Sequence, residues 1–458
     1  MSVVELINKV VVPQNRVKAL LSLLVPALVI IIQPINLSGN QAVIIGVLFL
    51  VVIWLATDWV NRNIACILLI ICFLIFGNIP IKDVLNFPLS ENMLMIVAAL
   101  LLSAGVVNSK ITEKISDFFL TRFCRKGFHL IIFSFLLAAL LVFIIPHPFP
   151  RVVLLYAIYV EFLDKYKVSA EDKQVFLFSV TVAVIVTSTL LLNGDVTAVY
   201  GAFSFARINM SYAEYAKYMF PPAFISTLLV FLSYNMVFRK EIKIRFPKDV
   251  SSKNPGLNKD GLKALIVMLA VIVFWALEPI HGISAAIVAT AGAVLMFILR
   301  IISLGEIKNL NYSVLLFLTS MAAVGRTLIG SGTAEKIRYA ILPILPSIDS
   351  FWFVPVIIII IMSFHMVLGS VFASLSICIP IVIILTEGFW SSEFVAMLVL
   401  SLVTFHFILP IHNITLMIGF SSGYYKKYHV VKYGIWLTPL VFFSVLLLYV
   451  PWWHYLGI

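Results

Sequence analysis

A succession of long, almost uncharged apolar segments constrains this chain more than any other feature of its sequence. A helix needs about 20 mostly apolar residues to cross the hydrocarbon core of a bilayer. Segments near that length, or able to tilt to fit it, include Ala19–Ile35, Ala42–Ala56, Ala264–Leu277 and Tyr433–Val450. Since 62% of the 458 residues are hydrophobic and only 12% are charged, no single water-soluble core could hide this surface. The sequence therefore predicts an all-α polytopic membrane protein whose main solvent is the lipid bilayer.

The net charge of +11 is explained by membrane topology rather than by nucleic-acid binding. Basic residues crowd into Arg239–Lys263 and into residues 110–126 and 426–432. Short loops rich in Lys and Arg stay on the cytoplasmic side of a membrane. We therefore expect a multi-pass protein of the plasma membrane with a cytoplasmic amino terminus, an external carboxyl terminus and no nucleic-acid partner.

The chain also contains a weak internal repeat, in which residues 107–115 resemble residues 329–337. Each stretch follows a long apolar segment and is typical of a short amphipathic helix at the membrane interface. Each is followed by two apolar regions interrupted by Pro, Gly or polar residues, at 144–151 and 192–197 in the first half and at 364–374 and 409–415 in the second.

These interruptions predict a binding site. Backbone groups cannot stay unpaired in lipid, so helices break only where they line a cavity or are buried in protein. Paired interruptions in two halves indicate a transporter site near the midplane, and the N-termini of half-helices suit an anion. Ordinary proline kinks would explain one break, but four breaks in corresponding places favour the site.

Several motifs, found in the family's order along the whole chain, resemble one known family. His365 matches the His of a "SHYLFAS" motif, and Ser422-Gly423-Tyr424 matches "GSGY". Residues 210–223, MSYAEYAKYMFPPA, are similar to "ISWGEWF…LPPA", and PWWHYLG at 451–457 is similar to "PWWKLLG". From about residue 20 to its end, the chain resembles the divalent-anion:sodium symporter (DASS) family of the ion-transporter superfamily. The nearest branch contains the bacterial oxoglutarate/malate and tartrate/succinate translocators.

The resemblance implies about 11 transmembrane helices and two re-entrant hairpins, arranged in two inverted repeats of an elevator-type homodimer with scaffold and transport domains. The implied first part consists of scaffold helices in 1–90, then a first repeat in 91–238 with an interfacial helix, a hairpin at 128–165 and a broken helix at 175–203. A basic cytoplasmic linker, 239–263, and scaffold helices, 264–312, come next. The second repeat, 313–458, would hold an interfacial helix at 332–344, a hairpin at 350–388, a broken helix at 392–420 and the last helix.

The hairpin tips depart from the family's pattern. Family members carry Ser-Asn-Thr signatures there, which bind sodium and the substrate carboxylates. Here the first tip has His147-Pro148-Phe149, and Ser370 is the one signature residue retained in the second tip. We therefore predict secondary active transport of a small anion, most like a dicarboxylate, that needs sodium weakly or not at all. Symport and exchange stay open, with sodium or a proton as the coupling ion, and a sodium site, if present, lies near Ser370. No cofactor or other metal site is expected.

Arg151 is the strongest candidate for contact with the anion, because it follows the first tip and offers a planar fork of donors. It matches an Arg that follows the first signature in the nearest branch. Pairing with Glu161 or Asp164 is the structural alternative. Asp195, in the first broken-helix loop, could carry a proton, bind a cation or pair with Arg151.

Further candidates lie at the same breaks. His147 and His412 could bind substrate or titrate near neutral pH, with packing as the alternative. Small polar or flexible residues beside them complete the predicted substrate site, namely Asn193, Gly194, Ser370 and Asn413. His365 and His406 are expected to be structural.

Two other classes of function remain as alternatives. One is a receptor or scaffold that kept the fold without transporting, and the other is a membrane-embedded enzyme acting on a lipid-linked substrate. Residues 419–423 match the G-x-S-x-G pattern of hydrolases, but that pattern needs a strand–turn–helix context. The sequence has no P-loop and no H-E-x-x-H motif, so we expect a protein that is not an enzyme.

Overall fold

The computed structural model describes residues 22–57, 60–109, 124–244, 246, 259–310 and 312–458. Within these ranges the chain forms helices joined by short loops, and no β-strand is present. The helices of eight or more residues up to the middle of the chain are α1 (Leu24–Ile32), α2 (Gly39–Thr57), α3 (Arg62–Phe76), α4 (Glu91–Asn108), α5 (Gly127–Val142), α6 (Pro148–Lys165), α7 (Ala170–Thr187), α8 (Val196–Ala206) and α9 (Tyr212–Val237).

The remaining helices follow the basic region. They are α10 (Lys259–Ala276), α11 (Ala285–Ile298), α12 (Tyr312–Gly330), α13 (Thr333–Ile341), α14 (Phe353–Leu368), α15 (Val371–Leu385), α16 (Ser392–Phe405), α17 (Ile414–Ser421) and α18 (Lys427–Tyr455). By length and composition, four helices of the described ranges could cross a membrane, namely α4, α9, α12 and α18. Shorter apolar helices include α3, α5, α8, α11, α14, α15 and α16, and several of these form the hairpins and interrupted units.

Serine residues begin many of the helices, because a serine hydroxyl satisfies an N–H group that has no partner within the helix. Ser90, Ser169 and Ser391 each accept a hydrogen bond from the backbone N–H three residues later. Ser211 and Glu214 form a reciprocal capping box at the start of α9. These caps fix where the apolar helices start.

Each half of the chain contains a helix–turn–helix unit followed by an interrupted helix. In the first half, residues 143–147 join α5 to α6, and residues 188–195 separate α7 from α8. In the second half, Gly369 and Ser370 join α14 to α15, and residues 406–413 separate α16 from α17. Gly369 has a φ of 62°, which a glycine adopts without strain.

The two halves pack into each other through their interrupted helices. Helix α8 of the first half lies against α15 and α16 of the second half, and α6 and α7 lie against α17. Helices α4 and α12 also contact α8. The interrupted helices of the two halves therefore pack against each other.

Two segments named from the sequence are described only in part. Residues 110–115 of the first interfacial stretch lie outside the described residues, as does most of the basic region 239–263. In the second half, α13 begins the segment 332–344, and Arg338 on its surface forms an ion pair with Glu387 at 2.7 Å.

The end of α18 closes a gap in the hydrogen bonding of α9. Pro221 and Pro222 lie inside α9, and because proline has no N–H they leave the carbonyls of Lys217 and Tyr218 without helical partners. The indole Nε1 groups of Trp452 and Trp453 donate to these two carbonyls, at 3.1 and 3.0 Å respectively. The tryptophan pair thus satisfies the carbonyls that the proline pair exposes.

Candidate functional site

At the first hairpin tip, Arg151 is completely buried and donates only to oxygen atoms of the protein. Its Nη2 donates to Ser188 Oγ at 3.0 Å and to the Gly194 carbonyl, both in the first broken-helix loop. Its Nη1 and Nε donate to the carbonyls of Ala138 and His147, each at 3.4 Å. The guanidinium therefore links the hairpin to the loop.

The neighbours of Arg151 also bond within the protein. Asn193 is buried and donates to the Val142 carbonyl at 3.0 Å, while its Oδ1 accepts from the Tyr212 hydroxyl at 3.3 Å. Asp195 caps α8 by accepting from the Ala198 N–H at 3.1 Å. No ion pair within 4 Å joins Asp195 to Arg151 in the described coordinates, although the two charges lie close enough to interact.

The N-terminus of α6 has few donors to offer an anion. Pro148 and Pro150 lack an N–H group, and the N–H of Phe149 donates to His147 Nδ1 at 3.2 Å. At the start of α8, the carboxylate of Asp195 already supplies a negative charge. The N-termini of α6 and α8 therefore each keep one backbone N–H without an acceptor among the described residues, that of Arg151 and that of Thr197.

The second hairpin tip is different. Helix α15 has 15 residues, and no side chain caps its N-terminus at Ser370. Its first three N–H groups, from Val371 to Ala373, have no acceptor among the described residues. The side chains of Ser370, Val371 and Phe372 are partly exposed. This tip thus combines free donors, a positive helix end and access from outside.

His412 brings a further donor close to that tip. Its Nδ1 accepts from the backbone N–H groups of Ile408 at 3.1 Å and Leu409 at 3.4 Å. A neutral imidazole that accepts at Nδ1 carries its proton on Nε2. That Nε2 is buried and has no acceptor in good hydrogen-bond geometry among the described residues, but the Met366 carbonyl lies close enough to interact with it. A Cβ on Gly369 would lie 4.0 Å from the Cδ2 atom of His412, so one edge of the ring lies close to the tip.

The other polar residues of the second break are internally bonded. Asn413 caps α17 through the Thr415 N–H at 3.0 Å. His365 is buried, with Nδ1 2.8 Å from Ser374 Oγ and Nε2 3.0 Å from the His406 carbonyl. His406 Nε2 lies 3.1 Å from Thr438 Oγ1. Here His365 links the second hairpin to its broken-helix loop, as Arg151 does in the first half.

Two polar cavities lie away from these tips. One, of about 240 Å³, is lined by residues that include Asp83, Glu91, Arg207 and Arg326. The other, of about 230 Å³, shares Glu91, Asn92 and Asn209 with the first. Both signs of charge line the first cavity, and none of the residues predicted for the substrate site lines either one.

Several residues of these junctions were not identified from the sequence. Ser188, Ser374 and Tyr212 hold Arg151, His365 and Asn193 in place. The hydroxyl run Thr187-Ser188-Thr189 immediately before the first break was the available signal. Ser421 of the G-x-S-x-G pattern lies at the exposed end of α17, and no strand precedes it in the described chain.

Long apolar helices, two helical hairpins and two interrupted helices together define a multi-pass α-helical membrane protein with a transporter-like interior. The family described as the sodium:sulfate symporter transmembrane region matches residues 14–458, so the chain belongs to that family. It is thus a secondary transporter of anions rather than an enzyme, in a family whose anions include sulfate and dicarboxylates. A comparison with curated proteins gave no match.

Proposed function

We propose that the chain transports a small dianion, a dicarboxylate or sulfate, and binds it at the N-terminus of α15. The observation that carries this proposal is the uncapped start of α15, with the ring of the buried His412 close to Gly369 at the same tip. Three backbone N–H groups and the Ser370 hydroxyl can donate to the oxyanion, and the helix end adds a partial positive charge. Because the first tip is already internally bonded, the second tip is where the anion has donors to gain.

Sodium is the coupling ion that the family's description names, and the residues of the first junction do not fit it. A hard cation needs carbonyl or hydroxyl oxygens with free lone pairs directed at one point. The oxygens of this junction converge on the Arg151 guanidinium instead. We therefore propose transport that does not require sodium, as anion exchange or with a proton as the coupling ion.

The mechanism that we propose is an elevator, in which the hairpins and interrupted helices slide against the remaining helices within a homodimer. Its support is the resemblance in motif order together with the joint packing of α6, α7, α8, α15, α16 and α17. Cross-linking of cysteines introduced on α4 and α8 would detect relative movement of these two helices, since they are in contact here.

Val371→Pro tests the proposed site directly. Proline is compatible with the first position of a helix, and the extended Ser370 backbone before it, with φ −149° and ψ 129°, suits a following proline. The change removes one N–H donor, so we expect weaker anion binding with little loss of thermal stability. Ser392→Pro, at the first position of α16, is the matched control and should leave binding intact.

Uptake of radiolabelled sulfate, succinate, malate and tartrate into proteoliposomes, in sodium or choline buffer, measures the function. We expect uptake or exchange of at least one dianion in choline, and its reduction by Val371→Pro. Absolute dependence on a sodium gradient would contradict the coupling proposal. Binding without any uptake or exchange would favour a receptor and overturn the transport proposal.

A further inference from the structure

The oxygen atoms around Arg151 form a set that would otherwise suit a metal cation. Three are backbone carbonyls, from Ala138, His147 and Gly194, and the fourth is the Ser188 hydroxyl. Neutral oxygens of this kind bind a hard cation by replacing its hydration shell. Here the positive group that they surround is covalently part of the chain.

These acceptors come from two separate segments of the first half. Ala138 and His147 belong to the hairpin, whereas Ser188 and Gly194 lie in the broken-helix loop, 37 and 43 residues from Arg151 along the chain. Two further bonds join the hairpin to the loop or its end: Asn193 donates to the Val142 carbonyl at 3.0 Å, and the Val196 N–H donates to the Pro146 carbonyl at 3.5 Å. The guanidinium therefore makes two of these four hydrogen bonds, and it is the only charged group among their donors and acceptors in the described residues.

The fixed charge has partial compensation close by. Asp195 follows Gly194 and interacts electrostatically with the guanidinium without an ion pair. Its carboxylate is already engaged as the cap of α8. Arg151 is therefore held mainly by hydrogen bonds to oxygen atoms. Its counter-charge, Asp195, lies nearby but does not form a direct ion pair with it.

Gly194 fits this close approach. A Cβ at residue 194 would lie closer than 3.0 Å to the backbone of Ser188, so a side chain there would separate the two acceptors. The loop is thus folded tightly enough to direct the Gly194 carbonyl and the Ser188 hydroxyl at one nitrogen, Nη2.

We propose that Arg151 is a tethered cation that clamps the first hairpin tip to the first broken-helix loop, in place of a dissociable coupling ion. It is then a positioning residue rather than a ligand of the anion. This inference rests on the proposed function for its meaning in transport, but its structural part can be tested without any substrate.

Arg151→Ala should leave an oxygen-lined gap that a free guanidinium ion can fill. We expect the melting temperature of the purified variant to fall by several degrees and to recover in part when millimolar guanidinium chloride is added. The melting temperature of the unsubstituted protein should not rise when guanidinium chloride is added, because the side chain of Arg151 already fills the site. Arg326→Ala is the matched control, since Arg326 also donates to a backbone carbonyl, that of Asp83, at 3.1 Å, but from a partly exposed position.

Arg151→Gln distinguishes charge from hydrogen bonding. Glutamine keeps two amide N–H donors but has no positive charge. A tethered cation predicts that this variant stays destabilised, whereas recovery of the melting temperature would mean that hydrogen bonds alone are needed and would overturn the proposal. If Arg151→Ala does not accumulate in membranes, Ser188→Ala replaces it, with a smaller fall in melting temperature expected and an unchanged one counting against the proposal.

The transport measurement separates this inference from the proposed function. With guanidinium present, Arg151→Ala should regain several-fold more dianion exchange than it shows without it. Normal stability with complete loss of anion binding would make Arg151 a substrate ligand and overturn the inference, whatever Val371→Pro does. Loss of binding in Val371→Pro together with guanidinium rescue of Arg151→Ala would support both.

Discussion

Gly419 in α17 leaves room for two tyrosines that join the halves of the molecule. The Tyr156 hydroxyl bonds to Thr181 Oγ1, and the Tyr425 hydroxyl donates to the Leu416 carbonyl at 2.8 Å. Thr181 Oγ1 also donates to the Tyr425 hydroxyl at 3.3 Å. A Cβ at residue 419 would lie closer than 3.0 Å to atoms of both tyrosines. The first glycine of the hydrolase-like pattern is therefore explained by packing.

Gly419→Ala should destabilise the protein by about 1–3 kcal/mol, because the added methyl group overpacks a buried contact. Gly201→Ala is the matched control in α8, where the nearest atom to a new Cβ is 3.5 Å away. Alanine there should be neutral, or stabilising by up to about 1 kcal/mol through its higher helix propensity. Thermal unfolding of both variants in the same detergent measures the difference, and equal melting temperatures would contradict this packing account.

At the scale of elements, the proline pair of α9 and the tryptophan pair of α18 are joined by hydrogen bonds and depend on each other. Both pairs belong to the sequence motifs that carry the family resemblance, the FPPA stretch at 220–223 and the PWW stretch at 451–453. The residues that bond to each other are 235 positions apart along the chain, and nothing in the sequence predicts this contact. In the structure each supplies what the other lacks.

Trp453→Phe should destabilise the protein by about 1–3 kcal/mol, because the Tyr218 carbonyl loses its donor. In a Pro222→Ala background the new N–H of residue 222 can bond to that carbonyl within the helix, so the same change should cost less. A double-mutant cycle on unfolding free energies measures this coupling, expected at about 0.5–3 kcal/mol.

Trp275→Phe is the control for that cycle. Trp275 is also buried and donates to a backbone carbonyl, that of Ala285, at 2.9 Å, but it has no connection with Pro222. Its cost should be the same in both backgrounds. A coupling energy of zero between Trp453 and Pro222 would show that the two pairs act independently.

The elements differ in how far the sequence could predict them. Apolar length and the Pro, Gly and Asn breaks indicated where the helices of the hairpins and interrupted units lie, because unpaired backbone is tolerated only at such points. The partners of Arg151 could not be predicted, since three of the four are backbone carbonyls and carry no residue-specific signal. Pro148 and Pro150 lack N–H groups, so the sequence did indicate that the N-terminus of α6 has few donors for an anion. The paired pattern of four breaks did not by itself distinguish this N-terminus from that of α15.

At the scale of the whole molecule, the predicted topology can be measured by cysteine labelling. The native cysteines Cys66, Cys72, Cys124 and Cys378 are all buried, so background labelling in the folded protein should be low. A cysteine at Ser252, which lies outside the described residues, should react only after the cells are permeabilised, because the basic region is expected inside. Ile280→Cys, at a position 81% exposed on the predicted external side, should react in intact cells. The reverse pattern would invert the topology.

The arginine at the first junction has a consequence for the energetics of the membrane. A sodium-coupled carrier binds sodium ions on one side of the membrane and releases them with the anion on the other, so their charge is transported too. The charge of Arg151 is part of the protein and moves back when the empty carrier returns, so it is not transported. Net movement of a dianion then displaces charge, at about 2.3 kcal/mol per elementary charge for each 100 mV. One-for-one exchange of equally charged anions displaces none. The electrical potential of a cell with a negative interior would therefore oppose net dianion uptake, drive net export and leave exchange unaffected.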